Sequence, residues 1–329
     1  MEWGISLKFI ANEVDDVYYN LAMEEYILQN FRDGTYLLLW RNNQSIVVGK
    51  YQNVFEEVNL RAVEEAGIKV ARRNSGGGTV YHDMGNLNYS IIMDYNPQSF
   101  IRYDDFLEPV ISALRKMGIP AMKKGASDIA IDGMKISGSA QTIKRGRLLH
   151  HGTLLFDADL GALRELLRPT TGMITSRAVK SVRSPVANIR ENVMCRDFVF
   201  SDFRKNLLTY LMHTEIEHET LTAEQIDDVR LLVEEKYSSW EWNFGKSPAF
   251  DFEKEDTVFG DLIKVRLRVE DGIITSCATQ GCHISDKALE RVLKDTRYSY
   301  REVSERLRGS EYGKGLTSLG LSCLTSCFF

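Results

Sequence analysis

Two segments of this 329-residue sequence carry side chains that can act on a charged ligand. The first contains Arg72, Arg73, Asn74, Ser75, Gly76, Gly77, Gly78, Thr79, Val80, Tyr81, His82 and Asp83 in succession. Ordering three consecutive glycines is entropically costly, which makes sense where a ligand must approach the backbone closely. Bare amides can cradle an anion without a helix terminus. An adjacent guanidinium can grip phosphate oxygens in a bidentate fashion. Side chains alternate along a strand, so only one of Arg72 and Arg73 should face the ligand. The segment fits neither common nucleotide fingerprint. A Walker loop needs Gly-Lys-Ser/Thr opening a helix, and a dinucleotide loop needs Gly-x-Gly-x-x-Gly before one. Here Thr79, Val80 and Tyr81 follow the glycines and read as strand. Asp83 adds an acceptor, but His82-Asp83 by itself is no metal motif.

The second segment runs from Ser127 to Gln141 around Asp132-Gly133, a strong two-residue hairpin signal. With that turn, Ile131 pairs with Met134, Ala130 with Lys135, Ile129 with Ile136, and Asp128 with Ser137. One face is then apolar (Ile129, Ile131, Met134, Ile136). The other is small or polar (Asp128, Ala130, Lys135, Ser137) and sets Lys135 near Asp128. A lysine on such a cleft wall can stay charged and bind carboxylate and phosphate oxygens. Buried more deeply, it can lose its proton and act as a base. His150 and His151 follow, and alternation lets at most one of them reach the cleft. The segment with Arg177, Lys180, Arg183 and Ser184 lacks periodicity and reads as a long loop suited to a mobile lid.

The elements that must position these groups alternate between strands and helices. Residues 20–31 read as a helix capped by Asn20. Residues 35–40 and 45–52 read as strands, and residues 59–67 as a helix ending at Gly67. Residues 68–73, 79–83 and 87–95 are strands around the glycine run, and residues 104–118 form a helix. Helices are expected near 198–212, 222–236, 285–294 and 300–308, with a hairpin across 261–280. The reading is an α+β protein with mixed and antiparallel sheets rather than a doubly wound parallel sheet. The boundary falls in the aromatic, turn-rich stretch after residue 240. This gives a 1–245 catalytic domain and a small α+β domain over 246–329.

Composition sets limits on the function. A hydrophobic share of 43% with 26% charged residues is ordinary for a globular chain. A net charge of −5 implies no general nucleic-acid affinity. No apolar run is long enough for a membrane span, and the acidic, mixed N-terminus does not read as a signal peptide. A soluble cytoplasmic protein is expected. The five cysteines are odd in number and irregularly spaced, which argues against a disulfide framework. None precedes Cys195.

Taken in order, "SIVVGKYQN", "RRNSGGGTVYHDMGN", "DIAIDGMKISGSAQ", "HHGTLLF" and "KSVRSPVANI" resemble the bacterial-type lipoate–protein ligases. The resemblance covers most of residues 1–245, and the C-terminal segment is similar to the accessory domain of the family's long form. It implies a catalytic domain with the biotin/lipoate ligase fold. It also implies a reaction in which ATP and Mg2+ convert lipoate to lipoyl-adenylate. The lipoyl group then passes to a lysine of lipoyl domains in 2-oxoacid dehydrogenase complexes or of the glycine-cleavage H protein. By the same resemblance, Lys135 is the central catalytic residue and contacts both substrates. Arg73, Ser75, Gly76, Gly77, Gly78, Thr79, Val80, Tyr81, Asp128 and Arg183 face ATP or the adenylate. Arg73 and His151 also face lipoate, Asp128 is a candidate magnesium contact, and the 177–183 loop covers the adenylate. This chain has Asn74 where a basic residue is common, and Thr79 and Tyr81 where Ala and Phe are common. Backbone contacts survive those changes. Three other readings compete. An ATP-independent octanoyl or lipoyl transferase of the cysteine type needs a thiol at the cleft. A non-catalytic binding module would turn nothing over. Biotin ligase fits the later motifs less well.

Overall fold

The computed structural model describes residues 7–98, 102–168, 172–193, 197–212, 216–258, 260–281 and 286–329. An eight-stranded mixed sheet forms its frame. The order is β12 (Glu217–Glu219), β1 (Leu7–Ile10), β2 (Thr35–Trp40), β6 (Asn86–Asp94), β10 (Arg147–Leu155), β9 (Met134–Lys144), β8 (Asp128–Ile131) and β7 (Met122–Lys124). Strand β1 pairs in parallel with β2 and β12, whereas the other neighbours are antiparallel. A three-stranded sheet holds the glycine run, with β4 (Lys69–Arg72), β3 (Ser45–Val48) and β5 (Val80–His82) in that order. A third sheet joins β11 (Met173–Thr175), β13 (Phe250–Val258), β14 (Asp261–Glu270) and β15 (Ile273–Gln280). The mixed α+β architecture is as the sequence implies.

Burial follows strand pattern. All six residues of β2 and all four of β3 are buried, as expected of strands covered on both faces. Strand β14 alternates, with Ile263, Val265, Leu267 and Val269 inward and charged residues between them. That inner face packs with Val48, Val54, Phe55 and Val70 of the glycine-run sheet and its neighbours in one core. A second core lies under the helix Asp104–Lys116 and the hairpin, through Phe106, Leu107, Val110, Ile129 and Ile136.

Several local readings change. The first helix runs Val17–Asn30 and is capped by Asp16, whose carboxylate accepts from the amides of Tyr18 and Tyr19. Asn20 is thus not a cap but a fully buried helix residue. The hairpin turn is correct, with Asp132 and Gly133 both at positive φ, but a bulge interrupts the ladder. Ile129 pairs with Ser137 and Asp128 with Gly138, one residue beyond the regular register. Met134, assigned to the apolar face, is 36% exposed at the hairpin tip, while Ile129, Ile131 and Ile136 are buried. The stretch after residue 240 is a helical turn, Glu241–Gly245, and a final helix, Ser318–Ser326, was not anticipated.

Candidate active site

The bulge decides where the hairpin lysine goes. Lys135 Nζ lies 2.9 Å from Asp128 Oδ1, and both side chains are only partly exposed. The ammonium passes over Gly138, where a Cβ would stand 2.7 Å from Nζ. A glycine at 138 is therefore what leaves room for the lysine. The lysine backbone is also pinned. Its amide donates to Pro185 O at 2.9 Å, and its carbonyl accepts from Ala187 N at 3.0 Å. The basic loop thereby runs alongside the hairpin.

The two arginines separate as alternation requires. Arg72 points away from the cleft and is completely buried. It donates to the carbonyls of Gly49, Gln52, Trp242 and Asn243 and to Ser247 Oγ. Arg73 turns toward the glycine run. Its Nη2 donates to Gly76 O at 2.6 Å and Gly78 O at 2.8 Å, its Nε to Ser75 Oγ, and its Nη1 to Val47 O. Four of the five N–H groups of a guanidinium are then engaged, and one on Nη1 remains. The bidentate phosphate grip anticipated from sequence is corrected on that count. Arg73 first shapes the glycine turn and has a single N–H left for a ligand. Burial pushes both arginines down to about 10, so both stay charged near neutrality.

Behind Arg73 runs a buried polar chain. Ser75 Oγ lies 2.7 Å from His151 Nε2, and His151 Nδ1 lies 3.0 Å from Glu24 Oε1. Glu24 also accepts from Ser90 Oγ, which in turn accepts from Trp40 Nε1. Arg73 and Glu24 are thus linked by a chain of hydrogen bonds inside the protein. Of the histidine pair, only His151 reaches the cleft; His150 stacks on Phe106 with ring centroids 4.4 Å apart.

His82 is held in one tautomer. Asn20 Nδ2 donates to the carbonyls of Val14 and Arg41, so its amide orientation is set. That nitrogen faces Asn42 Oδ1, which leaves Asn42 Nδ2 to face His82 Nδ1 at 2.9 Å. Burial lowers the His82 pKa to about 3, so the ring is neutral, accepts at Nδ1 and carries its proton on Nε2.

Two chambers meet at Lys135. The first encloses about 380 Å³. Its floor is one cross-sheet row: Trp40 opposite Asn88, Asn88 opposite Thr153, Thr153 beside Gly138, and Gly138 opposite Asp128. At the usual strand spacing this row spans about 19 Å. Leu21, Val47, Ala140, Arg73, His82 and His151 also line it. The second chamber, about 500 Å³, is lined by Leu155, Leu163, Leu167 and by Arg164, Arg168 and Arg183. Thr79, Val80, Lys135, Gly138, Thr153, Ser181, Val182 and Ser184 belong to both. Of the residues singled out from sequence, Gly77, Gly78, Asp128 and His151 line the first chamber and Tyr81 and Arg183 the second. Ser75 and Gly76 line neither and support the turn from behind. Leu21, Trp40 and Val47 went unnoticed because a cavity wall and a core have the same apolar pattern.

The basic loop lies over the junction. Ser181 Oγ accepts from Thr79 N and Gln52 Nε2, both at 2.9 Å, and donates to Glu57 Oε2. Lys180 pairs with Glu56 at 3.3 Å.

Residues 16–212 match the lipoyl protein ligase A/B catalytic domain. The chain is 38% identical to lipoate–protein ligase 1 of Staphylococcus aureus over 93% of its own length and 94% of that protein.

The chain belongs to the lipoate–protein ligase family.

A Bacillus subtilis lipoate–protein ligase is 37% identical over 92% of this chain and 93% of the relative. Among solved structures, a lipoate protein ligase from Thermoplasma acidophilum with bound lipoic acid superposes with a TM-score of 0.62 at 29% identity. It covers 73% of this chain and 99% of that one. A lipoate–protein ligase A bound with ATP superposes at 0.63 and 28% identity, covering 74% of this chain and all of that one. As in any lipoate–protein ligase, an acid and a nucleotide must meet at one point. Here the two chambers meet at Lys135.

Proposed function

We propose that this lipoate–protein ligase activates lipoate with ATP at Lys135 and passes the lipoyl group to a lysine of a lipoyl-domain protein. The observation that carries this reading is the junction of an acyl-sized and a cationic chamber at one ammonium group. The first chamber takes the acid, its carboxylate toward Lys135 and its apolar tail along the row toward Trp40, Leu21 and Val47. The second takes ATP, with Arg164, Arg168 and Arg183 offsetting phosphate charge and Leu155, Leu163 and Leu167 covering the base. Two anions must approach each other for reaction. A carboxylate oxygen attacks the α-phosphorus, the bond to pyrophosphate breaks, and a mixed anhydride results. Lys135, poised by Asp128, stabilises the charge on the transferring phosphoryl oxygens. In the second step the acceptor lysine's neutral amine attacks the acyl carbonyl and AMP leaves. The loop over the junction keeps water from the anhydride.

Among the described residues no group of three or more His, Cys, Asp or Glu side chains forms a metal site by itself. Magnesium carried on phosphates needs only one or two carboxylates, and Asp128 beside Lys135 suits that role. When bound, the ion neutralises phosphate charge.

The cysteine-type transferase has no support here. The described cysteines are Cys277, Cys323 and Cys327, and none lines either chamber. Cys195 and Cys282 lie outside the described residues. The acceptors we propose are lipoyl domains of 2-oxoacid dehydrogenase complexes and the glycine-cleavage H protein, met in the cytoplasm. Among the described residues no helix is long and apolar enough to cross a membrane. We assign catalysis to residues 1–245 and an accessory role to residues 246–329. Lipoate-dependent exchange of labelled pyrophosphate into ATP tests the first half-reaction: exchange that needs lipoate supports it, and its absence in folded protein removes the reading.

A further inference from the structure

Exposed apolar side chains gather at the mouth of the cleft: Val179 lines the first chamber and Val182 both, whereas Tyr51 lies outside the two chambers. Tyr51 is 58% exposed, Val179 52% and Val182 90%. They belong to one rim. Val179 N donates to Tyr51 O at 3.3 Å. The Tyr51 ring lies over the outside of the glycine turn, 3.9 Å from where a Cβ on Gly76 would be. Of the other exposed large apolar residues, Leu231 and Leu319 lie on the helices Ala223–Leu232 and Ser318–Ser326, and Met134 lines the second chamber. Scattered exposed apolar side chains are ordinary, but a cluster beside a reaction cleft signals contact with another molecule.

The rim's charge narrows the partner. From Gly172 to Arg190 the sequence holds four cations and no acid, although the whole chain has a net charge of −5. Arg177 is exposed, and Lys50 stands over the Tyr51 ring with Nζ 5.3 Å from its centroid. Lys180 is partly neutralised by Glu56. A free metabolite needs no aromatic anchor outside the chambers that enclose it, whereas a macromolecular acceptor must bring its amine to this mouth.

We propose that Lys50 and Tyr51 form a docking surface for the acceptor protein. That partner is a folded domain whose target lysine is flanked by acidic side chains and a small apolar patch. The inference rests on the ligase reading and names how its second substrate is held. Tyr51 supplies rigid contact area, and Lys50 pairs with carboxylates that stay at a hydrated edge. Neither residue lines a chamber.

The test is a direct binding titration of the full chain with a purified apo lipoyl domain, in the absence of ATP and lipoate. Lys50→Glu and Tyr51→Ala are each expected to weaken binding tenfold or more, with Lys50→Arg close to wild type. Added salt should weaken wild-type binding and leave the Lys50→Glu variant nearly unchanged. Lipoate-dependent pyrophosphate release, measured separately, should stay within twofold of wild type in all three variants. Equal binding by wild type and Lys50→Glu overturns the docking surface, as does undetectable wild-type binding at millimolar acceptor. Loss of pyrophosphate release in wild type would instead count against the ligase reading, so the two failures are distinct. Lys50 is a surface side chain, so its variant remains informative if Tyr51→Ala folds poorly.

Discussion

Lys135 and Asp128 form their ion pair across a β-bulge, over a glycine, at the junction of two chambers. In a regular hairpin Asp128 would face Ser137, and a Cβ would lie where the lysine now passes. The extra residue in the ladder brings Gly138 opposite the aspartate. The position of the ammonium follows from that local irregularity.

Replacing Lys135 by Ala should therefore leave the fold intact and remove the reaction. A loss of about 10²–10³-fold in adenylate formation is the scale for deleting one preorganised charge-stabilising donor. Steady-state pyrophosphate release, with circular dichroism as the control for folding, measures it. Near-normal turnover in the variant would show that Lys135 is not the central group.

Gly138→Ala tests the geometry rather than the charge. The new methyl would stand 2.7 Å from Nζ and 2.8 Å from Cε of Lys135, and must displace that side chain. Activity should fall at least tenfold while thermal stability changes little. Unchanged kcat with alanine at 138 would mean that the lysine works from another position.

Glu24→Gln tests the buried chain behind the glycine turn. Glu24 is 2% exposed and is the carboxylate at the end of the path from Arg73 through Ser75 and His151. The substitution disturbs the buried contacts of Glu24 with His151 Nδ1 and Ser90 Oγ, and a buried polar group left without its partner costs about 1–3 kcal/mol. Denaturant unfolding should show a clearly lower midpoint with an unchanged slope. A midpoint equal to wild type would mean that the Glu24 contacts do not support the fold.

Acid should destabilise the protein in two overlapping windows. Burial depresses His82 and His150 to about 3 from the usual 6.5. Between those values the unfolded chain binds protons that the folded one does not, so stability falls as pH drops below about 6.5. Glu25 is buried, yet Lys236 and Lys144 hold its carboxyl down to about 2, so its contribution is lost as pH falls from about 4.5 to 2. Melting temperature against pH should decline from pH 6.5 downward, and His150→Phe should flatten the upper part. Identical profiles for the variant and wild type would remove His150 from the account.

Much of this was legible in the sequence. The Asp132-Gly133 turn marked the hairpin because both residues must adopt positive φ, and alternation separated Arg72 from Arg73. The bulge was not legible, since a two-residue period carries no sign of the extra residue at Ile136. Nor was the fate of Asn20. It looks like a helix cap, but its partners are the carbonyls of Val14 and Arg41 and the side chain of Asn42, which only the fold brings together. Arg73 looked like a phosphate grip for the same reason: the carbonyls that occupy it come from the turn it supports.

The most direct test of the central claim combines purified protein, ATP, magnesium, lipoate and an apo lipoyl domain, with the acceptor's mass and released pyrophosphate followed together. The account predicts one lipoyl group added per acceptor lysine, dependent on ATP and absent with Lys135→Ala. Folded protein that gives neither pyrophosphate nor product, or that modifies the acceptor from an octanoyl carrier protein without ATP, would contradict it.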